Sequence, residues 1–257
     1  MKVLLLAGGY GTRLSEETHR IPKPMVEIGG YPILWHIMKI YSHYGFNDFV
    51  VLLGYKSYLI KQYFANYLLN FSDVCIDLGN GSVEMLNTKS EPWRVTLLDT
   101  GLNTMTGGRI KRAQKVVGRE PFMLTYGDGV ANVDLRVLVE SHKKHGRLAT
   151  MTSVQPAGRF GKIISDSSGR ITSFQEKPPD EGTRINGGFF VLQPEVFDYM
   201  AEEDGCIFER APLQKLSTDG QLFEYKHDGF WQCMDTVRDH QLLNELWDTN
   251  KADWKLW

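Results

Sequence analysis

Cysteine is scarce in this sequence: Cys75, Cys206 and Cys233 are the only three in 257 residues. They are odd in number, far apart and never in a C-x-x-C pair, which argues against zinc and a disulfide framework and suits a reducing compartment. Long hydrophobic runs are missing as well, since nothing approaches the roughly 20 apolar residues of a membrane span. The first residues do not read as a charged-then-apolar leader, because Leu4 to Ala7 runs straight into glycines. The expectation is a cytoplasmic protein with no membrane partner. Charge of one sign is also lacking: 29 Lys and Arg against 31 Asp and Glu leave a formal net charge of −2. That balance offers no electrostatic case for a nucleic-acid partner, so any anion must be gripped by a local pocket. The histidines, His19, His36, His43, His142, His145, His227 and His240, form no motif and receive no catalytic role.

What is present begins at "LLLAGGYGTRL", Leu4 to Leu14. Val3 to Leu6 reads as a short buried strand, and Gly8, Gly9 and Gly11 follow before Thr12-Arg13 closes the loop. Glycines after a strand let backbone N–H groups approach an anion closely. Two phosphate loops fail the comparison. Leu14 stands where a dinucleotide fingerprint wants its third glycine, and Arg13 stands where a Walker loop wants Gly-Lys. A plain strand-to-helix turn explains the glycines equally well on local grounds.

Strand-like and helix-like runs alternate beyond the loop. Ile33–Tyr44 has helical spacing, 48–54 is a buried strand, and Tyr58–Asn70 is again helical. Residues 93–101 and 121–129 are further strands ending in small and acidic residues, with a helix over Arg109–Val117 between them. Leu135–Gly146 is a helix stopped by glycine, followed by a strand at Leu148–Val154. This rhythm predicts one α/β domain over 1–257, a doubly wound, mostly parallel, Rossmann-like sheet with its site at the strands' carboxyl ends. From Gly161 the pattern changes to hairpin-like pieces, "KIISD", "GRITSFQEK" and "NGGFFVL", which makes the second half of the domain more irregular. Weak strand signals at Val74–Leu78 and Ser82–Leu86 suggest an inserted hairpin.

Several side chains could carry chemistry. Lys23, between Pro22 and Pro24 in "IPKPM", would be held in an extended run near the glycine loop, putting two cations, Arg13 and Lys23, on one polyphosphate. Asp128 in "TYGDG" and Asp235 in "WQCMDT" follow strand ends. Each has a local alternative, a turn for Asp128 and a helix N-cap for Asp235, but together they suit Mg²⁺ on a triphosphate. "FQEKP" and "INGGFF" offer Glu176 and Asn186 to sugar hydroxyls and Lys177 to a monophosphate, or else an ordinary exposed hairpin.

These motifs resemble those of the sugar-1-phosphate nucleotidyltransferases: G-G-x-G-T-R-L, then P-K-P, with "GDG", "EKP" and "NGG" in the family's order. The resemblance covers Lys2 to about Thr236. "KPMVEIGGYPILWHIMK", "EPWRVTLLDTG", "MTGGRIKR", "INGGFFVL" and "GFWQCMDT" resemble a narrower group within it, with two departures, Ala157 before Gly158 and Cys233 where a proline is expected. Neither is a proposed ligand. The resemblance implies CTP and glucose 1-phosphate as substrates, CDP-glucose and pyrophosphate as products, Mg²⁺ as cofactor, and an early step toward deoxysugars of surface polysaccharide. It also implies a mainly nucleotide-binding part over 1–130, a mainly sugar-phosphate-binding part with closing helices over 131–257, and a homo-oligomer, a homohexamer; the 70–91 insertion is the candidate for packing against a neighbour. Residue by residue, Leu6, Ala7, Gly8, Gly9, Tyr10, Gly11, Thr12, Arg13, Lys23, Thr104, Gly108, Arg109 and Asp128 would bind the nucleotide. Arg13, Lys23 and Asp128 would be catalytic, and Asp128 and Asp235 would hold the metal. Gly161, Glu176, Lys177, Asn186 and Gly187 would surround the sugar phosphate. Arg109, behind Gly107-Gly108, is the expected reader of the base. The rival readings are the same chemistry with another nucleotide or sugar, a metal-dependent glycosyltransferase, for which no D-x-D pair is present at Asp128, and a non-catalytic sugar-nucleotide sensor.

Overall fold

The computed structural model describes every residue except 15–17, 89, 157–161, 166, 168 and 176–183, and the backbone alone of 13, 162–165, 174 and 175. The strands that build or flank the site are β1 (Lys2–Ala7), β2 (Asp48–Leu53), β3 (Ser72–Asp77), β4 (Ser82–Thr88), β5 (Arg94–Asp99), β6 (Phe122–Tyr126), β7 (Gly129–Ala131), β8 (Ala149–Val154), β9 (Ile185–Leu192), β10 (Leu222–His227) and β11 (Trp231–Cys233). The helices are α1 (Ile33–His43), α2 (Ser57–Ala65), α3 (Tyr67–Phe71), α4 (Thr106–Arg112), α5 (Leu135–His145), α6 (Ala211–Thr218) and α7 (Val237–Asp248).

Seven strands form one sheet in the order β10-β8-β9-β6-β1-β2-β5. Every pairing is parallel except the two made by β9, which runs against both β8 and β6. The mixed α/β fold with a mainly parallel central sheet is the one the alternating pattern predicts. Strands covered on both faces read as continuous apolar runs, and β1 shows why. Val3, Leu5 and Ala7 join the core beneath α1, whereas Leu4 joins the one beneath α4 and α6. Successive side chains of a strand point to opposite faces, so both faces must be apolar.

Four expectations change on contact with the structure. "NGGFFVL" is a central strand, β9, and no hairpin piece. Phe189 to Leu192 are all buried, a two-faced run that the preceding Gly187-Gly188 disguised as a turn. The helix expected from Arg109 starts at Thr106, so Gly107 and Gly108 are helical. A Cβ on Gly107 would lie 2.5 Å from Cys206 Sγ, and one on Gly108 2.6 Å from the Glu203 carbonyl. These glycines therefore serve helix packing against the 203–208 segment. The helix over Tyr58–Asn70 divides at Asn66 into α2 and α3. The stretch Lys23–Met25 is one 3₁₀ turn where an extended run was expected, with Met25 N donating to the Pro22 carbonyl at 2.8 Å. Proline fits there because a first-turn residue has no N–H to satisfy.

The inserted hairpin is present: β3 and β4 pair antiparallel, Ser72 opposite Thr88. Elsewhere, the fully buried Trp254 sits against His36 and Trp247, docking the 250–257 segment beside α1.

Candidate active site

β1 and β6 are parallel neighbours with Leu6 opposite Tyr126. Gly127 N donates to the Leu6 carbonyl at 3.0 Å. The glycine loop after β1 and the Gly127-Asp128 turn after β6 therefore leave the sheet side by side at its carboxyl edge, where doubly wound sheets bind ligands. A cleft of about 550 Å³ opens there, a size that suits a nucleotide-scale ligand. Residues 6–12, Lys23, Thr104, Arg109, Asp128 and Asp235, all named from the sequence, line it. Two loop glycines are required by geometry. Gly11 has φ +65°, and a Cβ on Gly8 would lie 2.3 Å from the Arg109 guanidinium. The Arg13 backbone lies in the 3₁₀ turn Thr12–Leu14, and its side chain lies outside the described residues.

The two aspartates meet because a second, small ribbon brings them together. β7 pairs antiparallel with β11, Gly129 opposite Cys233, and Met234 N donates to the Asp128 carbonyl at 2.8 Å. The residue before β7 and the second residue after β11 are thereby neighbours. Asp235 is not the cap of the helix that follows. Thr236 caps α7, with Asp239 completing a capping box. Lys23 Nζ stands between the carboxylates, 2.6 Å from Asp128 Oδ2 and 2.5 Å from Asp235 Oδ1. Burial pulls the Lys23 pKa down, but Asp128 and then Asp235 outweigh it, so the ammonium is held above its ordinary value. It is a cation throughout the neutral range. Two carboxylates converging on one positive charge form the donor set that Mg²⁺ uses when phosphate oxygens supply the remaining ligands. Among the described residues, no three acidic, histidine or cysteine side chains gather into a self-sufficient metal cage.

Arg109 is in the cleft wall but differently employed than expected. It is 4% exposed. Nη1 donates to the carbonyls of Leu53 (2.9 Å) and Gly101 (2.6 Å) and to Thr100 Oγ1 (2.8 Å). Nη2 donates to the carbonyls of Gly8 (2.9 Å) and Leu102 (3.1 Å). The guanidinium thus braces the ends of β1, β2 and β5 against one another. Burial, and next the neighbouring Arg112, lowers its pKa from the ordinary arginine value. Gly108 does not line the cleft and faces Glu203 instead.

Sugar-side expectations divide. Asn186 lines a second depression of about 500 Å³, and Gly187 accepts a 2.8 Å hydrogen bond from Trp231 Nε1 through its carbonyl. Gly161, Glu176 and Lys177 lie outside the described residues. Sequence reading missed Thr106, Tyr126, Ile207 and Glu209, which also line the first cleft. Glu209 borders both cavities. Tyr126, adjoining "GDG", was findable, whereas nothing in "CIFERAP" marks Glu209 as a site residue.

A glycine loop beside paired aspartates at a parallel sheet's edge has the chemistry that suits a nucleotide's phosphates, and the nucleotidyl transferase family model matches residues 2–239. The chain belongs to that family. Within it, the chain is 53% identical to the glucose-1-phosphate cytidylyltransferase of Salmonella typhi over 258 residues, covering 100% of both. It is 46% identical to the probable glucose-1-phosphate cytidylyltransferase of Bacillus subtilis, again over 100% of both. Among solved structures, HddC from Yersinia pseudotuberculosis is similar with a TM-score of 0.69 at 24% identity, over 96% of this chain and 99% of that one. That likeness concerns the fold.

Proposed function

We propose that this protein transfers a cytidylyl group from CTP to α-D-glucose 1-phosphate, forming CDP-glucose and releasing pyrophosphate. The observation that carries the reading is Lys23 set between Asp128 and Asp235 beside the glycine loop, in a chain 53% identical over its whole length to an enzyme of that name. A phosphate monoester is already a nucleophile at neutral pH. One of its oxygens attacks the α-phosphorus of CTP in line, the bond to the β-phosphate oxygen breaks, and pyrophosphate leaves with the electron pair. No general base is needed, so catalysis rests on positioning and charge stabilisation. Residues 7–13 wrap the triphosphate, with Arg13 on its outer phosphates. Lys23 neutralises charge at the α-phosphate or the departing pyrophosphate. Lys177 orients the sugar phosphate, with Gly161, Glu176, Asn186 and Gly187 around the hexose. Asp128 and Asp235 would hold Mg²⁺, which supplies further neutralisation of the phosphates when bound.

CTP must be distinguished from UTP by a donor toward N3 or O2 and an acceptor toward the N4 amino group. Arg109 controls that end of the cleft, by contact with the base or through the carbonyls it braces. The wider reading is one cytoplasmic domain whose product enters deoxysugar assembly for surface polysaccharide. Among the described residues, no helix is long and apolar enough to cross a membrane. The protein works as a homo-oligomer joined in part by the β3–β4 hairpin, a reading supported by the exposure of Ile76, Leu78, Val83 and Leu86 there. The test is pyrophosphate release with each of the four nucleoside triphosphates and glucose 1-phosphate. Turnover should be strongest with CTP, and turnover led by another nucleotide would overturn the reading.

A further inference from the structure

A chain of hydrogen bonds runs from the nucleotide helix to the sugar-side strand, and Glu209 is its hub. Thr106, the first residue of α4, donates from Oγ1 to Glu209 Oε2 at 2.6 Å, and itself accepts from Phe208 N at 3.0 Å. Tyr126, the last residue of β6, donates from its hydroxyl to Glu209 Oε1 at 2.6 Å. The Tyr126 oxygen in turn accepts from Asn186 Nδ2 at 3.0 Å. Asn186 Oδ1 accepts from Gly188 N at 2.8 Å, so a backbone donor decides which way this amide faces. Every donor in the chain points toward one carboxylate, and both of its oxygens are used.

We propose that Glu209 is a positioning residue for the sugar phosphate: through Tyr126 it fixes the Asn186 amide, while its other oxygen anchors that wall to Thr106 at the start of the nucleotide helix. The inference rests on the functional reading above and deepens it. Its chemistry follows from the donor count. A carboxylate accepts from two hydroxyls at once, whereas an amide at the same place has a single acceptor oxygen. With glutamine there, either Tyr126 or Thr106 loses its acceptor, and a Tyr126 hydroxyl that turns away gives up the lone pair that holds Asn186. Glu209 also borders both cavities, the placement required of a group that sets one subsite relative to the other.

The experiment is steady-state kinetics with CTP and glucose 1-phosphate varied separately, for the parent, Glu209→Gln, Tyr126→Phe and the double variant. Each single variant should raise KM for glucose 1-phosphate by about 10-fold, the effect of one lost hydrogen bond to a charged group, with KM for CTP moving less than ~3-fold. The double variant should be little worse than either single one, because both act through the same chain. Melting midpoints identify any variant that has merely lost its fold, and Tyr126→Phe keeps the test open if Glu209→Gln is such a variant. Unchanged KM values, a shift confined to CTP, or fully additive effects would overturn the proposal while the functional reading stands. A parent that does not turn over CTP with glucose 1-phosphate would strike the functional reading itself, and the proposal with it.

Discussion

Two sets of side chains, one inside the cleft and one running from its wall to the neighbouring depression, are built on different physics. One is ionic: Lys23 lies within 2.6 Å of a carboxylate on either side, inside a partly buried pocket. The other, Thr106, Glu209, Tyr126 and Asn186, is a relay of directional hydrogen bonds converging on a single carboxylate. Charges act over distance and grow stronger where water is excluded, which suits phosphates whose charge redistributes during transfer. Hydrogen bonds have short reach and strict geometry, which suits holding a neutral hexose in register. Under the proposed function, the first set would govern turnover and the second substrate placement.

The largest effect that could break this contrast is expected at the ionic set. Asp128→Asn should cost turnover at least ~10²–10³-fold with the melting midpoint nearly unchanged, and chelation by EDTA should do the same to the parent. Full activity in the asparagine variant would remove Asp128 from the chemistry. Lys23→Ala should depress turnover by roughly 2–4 kcal/mol of lost charge stabilisation, whereas Lys177→Ala should chiefly raise KM for the sugar phosphate. A Lys177 variant that weakens only CTP would show the two substrates to be exchanged.

Arg109 sharpens the comparison, because it is a charge used as a hydrogen-bond brace. The parent should favour CTP over UTP by at least ~100-fold in kcat/KM. Arg109→Ala should reduce that preference and also lower the melting midpoint, since the carbonyls of Gly8, Leu53, Gly101 and Leu102 lose a common donor. A variant that melts early yet keeps the full preference for CTP makes Arg109 a brace alone.

A smaller effect separates the cleft from the rest of the molecule. Burial pushes His36 and His142 down to about 4. An unfolded histidine titrates near 6.5, so the folded state binds the proton less well than the unfolded one. The stability contributed by the neutral rings is complete above pH 6.5 and is lost as pH falls toward 4, by up to about 1.4 kcal/mol per pH unit for each histidine. Melting midpoints measured between pH 7 and 4.5 should fall, and fall less steeply in His142→Gln. An identical slope in that variant would show that His142 is not responsible. Lys23 has the opposite sign. Its raised pKa keeps its contribution intact below pH 10.5, and it is lost only as pH rises through the folded value.

The smallest effect on stability is expected at the hairpin. Leu78 is 91% exposed and Leu86 61%. Leu78→Asp with Leu86→Asp should change chain stability by only about 0.5 kcal/mol per site, as is usual for exposed positions. The pair should nonetheless lower the oligomeric mass measured by light scattering. An unaltered mass would take the hairpin out of the subunit contact.

The parallel sheet and the membership of the cleft were legible in sequence because both are written in local terms. A greasy run before glycines is a buried strand wherever it sits, and a Gly-Asp-Gly turn after another such run must emerge at the sheet's carboxyl edge. Gly8, Gly9, Gly11, Lys23, Asp128 and Asp235 could therefore be singled out from local pattern, whereas Leu6, Tyr10 and Thr104 followed from the family resemblance, and all of them line one cavity. β9 was less legible, because Gly187-Gly188 imitates a turn where the fold in fact inserts a central strand.

Residue types and their order determined the class of chemistry. Glycines permit close approach to phosphate, two aspartates and a lysine supply charge of both signs, and the near-zero net charge confines anion binding to a pocket. Partnership was decided only by the tertiary structure. Asp128 and Asp235 are 107 positions apart by number and converge on one ammonium because β7 pairs with β11 in a single register. Glu209 sits in an unremarkable stretch and becomes the hub of the cleft wall because the 203–209 segment packs over the glycines of α4. Contacts between residues so distant in sequence depend on strand register and helix packing, which are properties of the whole fold and leave no local mark.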